Sequence, residues 1–236
     1  MINLLQGDCL QLMKEIPSGS VDAIITDPPY GTTACKWDSV IDFKLMWDQL
    51  NRIIKPNGAI VLFGSEPFSS ALRMSNIKNY KYDWIWEKQQ GSGSLNCNRR
   101  PLKKTESIIV FNSKIYNPQG LIKSGRIKKK AKTEIYGDSK LQYLEKNKNY
   151  PIELLRFNTD IYSKKVHPTQ KPVLLMEYLI HTYTNENETV LDFTMGSGTT
   201  MVACQNTNRN GIGIEQDEKY FNIASNRVEQ NKYSLF

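Results

Sequence analysis

"TVLDFTMGSGTTMVACQN" (residues 189–206) runs from an apolar, β-prone stretch into a glycine turn and then into a helix-compatible stretch. A strand that feeds a helix through glycines is the unit from which α/β domains are built. The neighbouring sequence repeats the alternation. Upstream, the periodicity predicts strands over 2–6, 21–26, 55–64 (after an opening turn), 80–88 and 106–112, with helices near 9–15, 42–54 and 66–76. Downstream of residue 171 it predicts a helix over 172–183, strands over 189–193 and 210–215, and helices over 198–206 and 217–231. The expected fold is α/β, a doubly wound and mostly parallel sheet with helices on both faces.

The glycine turn also bears on ligand chemistry. Gly196 and Gly198 permit tight turning and a close approach of backbone to a ligand. Glu215 lies 19 residues beyond Gly196, near the spacing at which dinucleotide folds place an acid on ribose hydroxyls. Met201 stands where the third glycine of G-x-G-x-x-G would be, and no lysine follows the glycines as in a P-loop. An ordinary strand-to-helix turn would look similar. If the turn holds a ligand, an adenosyl group fits it better than a nucleotide whose phosphates need cradling.

"TDPPYG" (26–31) directly follows the apolar run "VDAIIT" (21–26). Two prolines there stop the strand and stiffen the backbone. A carboxylate and a fixed carbonyl at one strand end can accept both protons of an exocyclic amino group. That favours pyramidal geometry at a nitrogen whose lone pair is otherwise delocalised, the state needed to attack a methyl donor such as S-adenosylmethionine. Tyr30 could stack on a base taken out of its duplex. A common proline turn is the alternative reading of the tetrapeptide taken alone.

Charge is unevenly placed. The formal net charge is +7, and residues 114–165 alone carry thirteen Lys and Arg against five Asp and Glu, leaving the rest slightly acidic. This stretch is Asn-rich, weakly periodic and dotted with tyrosines. A basic block is either a solvated face or a footprint for phosphates. The absence of a long apolar run predicts no membrane span. The N-terminus lacks the basic and apolar pattern of a signal peptide. Four cysteines without metal spacing, and only His167 and His181, predict a reduced, cytoplasmic chain without a metal site.

Taken together, "DPPY" (27–30), "HPTQKP" (167–172) and "MGSGTT" (195–200) resemble the amino methyltransferases of DNA, in the β-group motif order, over most of the chain. The resemblance implies a Rossmann-like S-adenosylmethionine-dependent fold with circularly permuted motifs. Its two halves would be 1–113 (catalytic) and 166–236 (cofactor-binding), around a target-recognition insertion at 114–165. It implies catalytic roles for Asp27, Pro28, Pro29 and Tyr30. It implies cofactor contacts from Asp8, Cys9, Asp27, His167, Thr169, Lys171, Asp192, Phe193, Gly196, Ser197, Gly198, Thr199, Thr200, Glu215 and Gln216. Lys171 or Thr169 would meet the methionine carboxylate, Asp8 the adenine and Glu215 the ribose. One departure stands out: the family commonly reads D-P-F before the turn, and Phe193 and Thr194 replace the Pro and Phe here. DNA contacts are expected from Arg99, Arg100, Lys103 and Lys104 on a loop, and from Arg126, Lys128, Lys129, Lys130 and Lys132 in the insertion. Residues 30–38 are a candidate flap over the base.

The resemblance leans toward adenine-N6 in double-stranded DNA, because Asp27 opens the tetrapeptide. Cytosine-N4, RNA, a protein amide and a catalytically inactive DNA-binding relative are the alternatives. A carbon-5 mechanism would need a cysteine after proline, and none of the four follows one. A homodimer and a separately acting cognate restriction endonuclease are the partners that the resemblance leaves open.

Overall fold

The computed structural model describes residues 1–32, 38–129, 142–158 and 170–234. Among these, two compact units are distinguished. The first comprises Met1–Asn117 and Glu153–Phe236, the second Pro118–Ile152.

The first unit opens with β1 (Ile2–Gln6), α1 (Cys9–Leu12), a 3-10 turn (Met13–Glu15), β2 (Val21–Thr26), α2 (Phe43–Ile53), β3 (Ile54–Gly64) and α3 (Phe68–Ser75). It continues with β4 (Tyr80–Ser92) and β5 (Lys103–Phe111). The second unit holds β6 (Ile122–Lys129) and β7 (Gln142–Lys148), an antiparallel pair. The chain then returns to the first unit as β8 (Leu154–Arg156), α4 (Val173–Tyr183), β9 (Thr189–Asp192), α5 (Thr199–Asn206), β10 (Asn210–Glu215) and α6 (Glu218–Ser234).

The first unit's strands form one eight-stranded sheet in the order β1-β10-β9-β2-β3-β5-β4-β8. Every pairing is parallel except the two made by β5, the single reversed strand. All six residues of β2 are buried, as a strand covered on both faces must be. Its side chains alternate between two cores. Ala23 and Ile25 face one that α4, α5 and α6 cover with Leu179, Met201 and Val228. Ile24 and, ahead of the register shift, Val21 face the other, which the 3-10 turn, α2 and α3 cover with Met13, Leu50 and Leu72. The doubly wound, three-layer α/β expectation therefore holds.

Three local expectations differ. The stretch 55–58 continues β3 rather than turning, because the strand accommodates a register shift against β2. Lys103 and Lys104 lie in β5, not on a loop. The separate unit is narrower than 114–165: β8 pairs with β4, and Tyr116 stacks on Trp84 at 6.4 Å between centroids. Both belong to the scaffold.

Candidate active site

The β9–β2 junction is where the winding reverses. From β9 the chain passes through α5 to β10 on one side, and from β2 through α2 to β3 on the other. In open parallel sheets the crevice at the carboxyl ends of two such strands is the ligand site. Asp27 follows β2 and Asp192 ends β9, so the two candidate motifs meet at that crevice. Three hydrogen bonds join them. Thr26 Oγ1 donates to Asp192 Oδ1 (3.1 Å), the Phe193 N–H donates to Thr26 Oγ1 (3.1 Å), and Thr194 Oγ1 donates to the Asp27 carbonyl (3.1 Å). The departure from D-P-F thus has a local use: Thr194 anchors the backbone of the carboxylate-bearing turn, while Phe193 is buried in the α1–α3 core.

A cavity of about 330 Å³ opens at this junction, within the range of small-molecule sites. Asp8, Cys9, Asp27, Pro28, Pro29 and Tyr30 line one part, and Asp192, Phe193, Gly196, Ser197, Thr199, Thr200, Glu215 and Gln216 another. Its lining carboxylates are Asp8, Asp27, Asp38, Asp192 and Glu215, against Lys171 as the single lysine or arginine among the described lining residues. Such a wall suits a cationic sulfonium and repels phosphates. That agrees with an adenosyl ligand that bears no phosphate.

The glycine turn is braced from below. Glu215 accepts from the N–H groups of Gly196 and Asp217, both at 2.8 Å, and burial holds its carboxyl above the usual value. Gly196 and Gly198 have φ of 54° and 78°, the left-handed region that glycine tolerates. Gly198 is absent from the cavity lining. It faces α6 instead, where a Cβ would come within 2.8 Å of the Ala224 Cβ. Gly198 thus has a packing constraint of its own. Arg227 of α6 secures the same turn, donating to the Ser197 carbonyl at 2.6 Å.

Asp192 is fully enclosed and accepts from Thr26, Thr200 and the Thr194 N–H. Burial pushes its carboxyl up to about 7 despite those bonds. A raised carboxyl is more easily protonated in the fold than in the unfolded chain. Its contribution to stability is therefore present at low pH and is lost as pH rises toward 7. Relative to Asp192→Asn, wild type should lose melting temperature between about pH 5 and about pH 7. Parallel melting curves would exclude this if measured across that window.

On the substrate side a buried charged cluster dominates. Lys171 Nζ lies 2.5 Å from Asp27 Oδ2 and 2.8 Å from Glu106 Oε1, and 4.9 Å from the Phe63 ring centroid. The Tyr30 hydroxyl is in hydrogen-bond contact with Asp27 Oδ1 and lies 2.9 Å from Glu106 Oε1. Burial pushes the Asp27 carboxyl up, with Lys171 opposing. Burial acts likewise on Glu106, but Lys171 and Lys88 outweigh it and hold that carboxyl below its usual value. Burial works against the Lys171 cation, and the two carboxylates still hold its pKa above normal. The ammonium is therefore fixed in place.

Two side chains have partners that the sequence did not suggest. Lys171, which lines the cavity, pairs with Asp27 and Glu106. The Tyr30 ring stacks on Phe68 (centroids 5.0 Å apart), and its hydroxyl belongs to the cluster. Asp8 caps α1 by accepting from the Gln11 N–H at 3.0 Å. Cys9 is buried, which pushes its thiol up to about 12, so it serves as an apolar wall. His167, Thr169, Lys130 and Lys132, and residues 33–37 of the candidate flap, lie outside the described residues. The side chains of Lys128 and Lys129 do as well, although both residues fall in β6.

Arg99 and Arg100 are exposed. Lys104 pairs with Glu87 at 2.8 Å, and Lys103 contacts Ser65. Sequence reasoning missed Glu106, Arg227 and Asp38. The Asp38 carboxylate accepts from the N–H groups of Tyr30, Gly31 and Thr32 at 2.8–2.9 Å and so fixes the turn after the prolines.

A family model described as DNA methylase, of N6 and N4 methyltransferases, matches residues 21–226. The type II methyltransferase M.HpaI of Haemophilus parainfluenzae is 28% identical over 250 residues, which span 96% of this chain and 74% of that protein. The crystal structure of an M1.HpyAVI–SAM complex is 32% identical, with a TM-score of 0.68 over 97% of this chain and 99% of that one. The cytosine-N4-specific PvuII DNA methyltransferase shares the fold, at 16% identity and a TM-score of 0.70 over 98% of this chain and 90% of that one. With its strand-end carboxylate and glycine turn meeting at one crevice, the chain belongs to the N6/N4 DNA methylase family.

Proposed function

We propose that this DNA methyltransferase modifies the N6 amino group of adenine, extruded from double-stranded DNA, with S-adenosylmethionine as donor. The observation that carries the reading is the bonded junction of the two motifs, in which Thr194 ties the Asp27 backbone to the glycine turn. When bound, the cofactor supplies an electrophilic methyl carbon on a sulfonium. Its cavity fits on volume and on charge. Asp8, Glu215 and Gln216, beside the braced glycine turn, hold the adenosyl part. Asp27 and the Pro28 carbonyl accept the two amino protons and draw the nitrogen lone pair out of the ring plane. Pro28 and Pro29 fix that carbonyl before the base arrives. Pro28 is a buried residue that lines the cavity.

The adenine assignment rests on Asp27 as first residue of the tetrapeptide. Digesting methylated DNA to nucleosides should yield N6-methyladenine; N4-methylcytosine alone would overturn the assignment.

Arg99, Arg100, Arg126 and the lysines of 128–132 are assigned to phosphates, in keeping with the excess positive charge of 114–165. Replacing Lys128, Lys129 and Lys130 together with Ala should weaken DNA binding. The slope of log affinity against log salt should flatten by about one unit for each phosphate that is no longer neutralised. An unaltered slope would mean that these lysines touch no phosphate.

A further inference from the structure

We propose that Glu106 is a positioning residue that takes over the Tyr30 hydroxyl and the Lys171 ammonium when the target amino group engages Asp27. This inference rests on the reading of Asp27 as acceptor for that amino group.

In the structure both Asp27 oxygens already have partners, Tyr30 at Oδ1 and Lys171 at Oδ2. An incoming amino group must therefore displace or share one of them. A phenol has a single proton and can donate to one acceptor at a time. The Tyr30 oxygen reaches two carboxylates, and the second is Glu106 at 2.9 Å. Rotation of the hydroxyl proton toward Glu106 would release the Asp27 lone pair without moving the ring, which Phe68 holds at 5.0 Å. Lys171 is shared in the same way, at 2.5 and 2.8 Å from the two acids. Glu106 thus duplicates each interaction that Asp27 must loosen.

Its placement makes this workable. Glu106 projects from β5, the reversed strand, and is held by the ladder to β4 opposite Trp86. Its side chain is 10% exposed, with Lys88 at 3.9 Å as a further cation. Among the described residues, the charged or titratable groups around Asp27 are Tyr30 from the same turn, Lys171 ahead of α4, Glu106 and Lys88 from the β5–β4 pair, and Asp192 across the crevice. Among them Glu106 is the anion that raises the Asp27 carboxyl most directly.

Two variants separate charge from reach. Glu106→Gln removes the charge at nearly constant shape. Glu106→Asp keeps the charge but draws back, by one methylene, the oxygen that contacts both Tyr30 and Lys171. Methyl transfer from labelled S-adenosylmethionine to genomic DNA free of adenine methylation gives kcat against pH. Calorimetry on the DNA-free protein gives cofactor affinity, and carboxyl NMR of cofactor-free protein follows Asp27 directly.

Both variants should lose up to roughly 10²-fold in kcat with cofactor affinity unchanged. In Glu106→Gln the acid limb of the profile and the Asp27 titration should move to lower pH, because a neighbouring anion is gone. In Glu106→Asp both should stay near wild type. A purely structural role would lower the melting temperature without moving the acid limb. Wild-type kcat in the two variants, or an unmoved Asp27 titration in Glu106→Gln, would overturn the proposal. If Glu106→Gln fails to fold, Glu106→Asp decides the question through kcat alone. An active Asp27→Ala would instead overturn the reading on which the proposal rests.

Discussion

Asp27→Ala is expected to reduce methyl transfer by roughly 10²- to 10³-fold while leaving cofactor affinity and folding nearly unchanged. Loss of one preorganised partner at a reacting centre commonly has this magnitude. The structure gives a reason why the protein should survive the change. With Asp27 gone, Lys171 keeps Glu106 at 2.8 Å, so no buried charge is stranded. The cofactor cavity keeps Asp8, Glu215 and the braced glycine turn, none of which depends on the Asp27 side chain. Single-turnover assays and calorimetry on the purified variant check both halves. Turnover at the wild-type level would remove Asp27 from the chemistry.

Lys171→Met has the opposite signature, a loss of stability together with activity. It leaves Asp27 and Glu106 close together in an apolar corner, both contacting Tyr30, without the cation between them. Breaking a buried pair in this way costs about 3–5 kcal/mol. The two carboxyls would instead share a proton, so the loss should be largest above the ordinary carboxylate range and smaller in acid. The double variant Lys171→Met/Glu106→Gln should recover part of the melting temperature, because it removes one stranded charge. Denaturant unfolding of the single and double variants measures this. Equal stability of Lys171→Met and wild type would mean that water, not the lysine, satisfies the acids.

What could be read from the sequence follows from how local each constraint is. The β2 and β9 strands, the prolines and the glycines announce themselves within a few residues, so the fold and the switch-point crevice were legible. That Asp27, Glu215 and part of the glycine turn meet at this crevice was legible for the same reason. Glu106 was not. It sits in an ordinary strand pattern, 76 residues from Tyr30, and only the reversed placement of β5 brings the two together.

Lys171 was found, but its pairing with Asp27 and Glu106 was not. Its nearness to a helix start suggested an anion ligand, whereas its ammonium is drawn to two buried carboxylates. The packing of Gly198 against Ala224, on a helix 26 residues on, was not legible, because nothing local announces that approach. The β6–β7 pair escaped because Ile122 and Ile127, the apolar residues of β6, are exposed and leave no burial pattern. β8 escaped because three residues are too few to show a period.

A crystal structure of the protein with S-adenosylmethionine should show the adenosyl group between Asp8 and Glu215, with the sulfonium methyl directed at the corner formed by Asp27 and Pro28. Cofactor bound elsewhere, or with its methyl turned away from that corner, would rule out methyl transfer at this crevice.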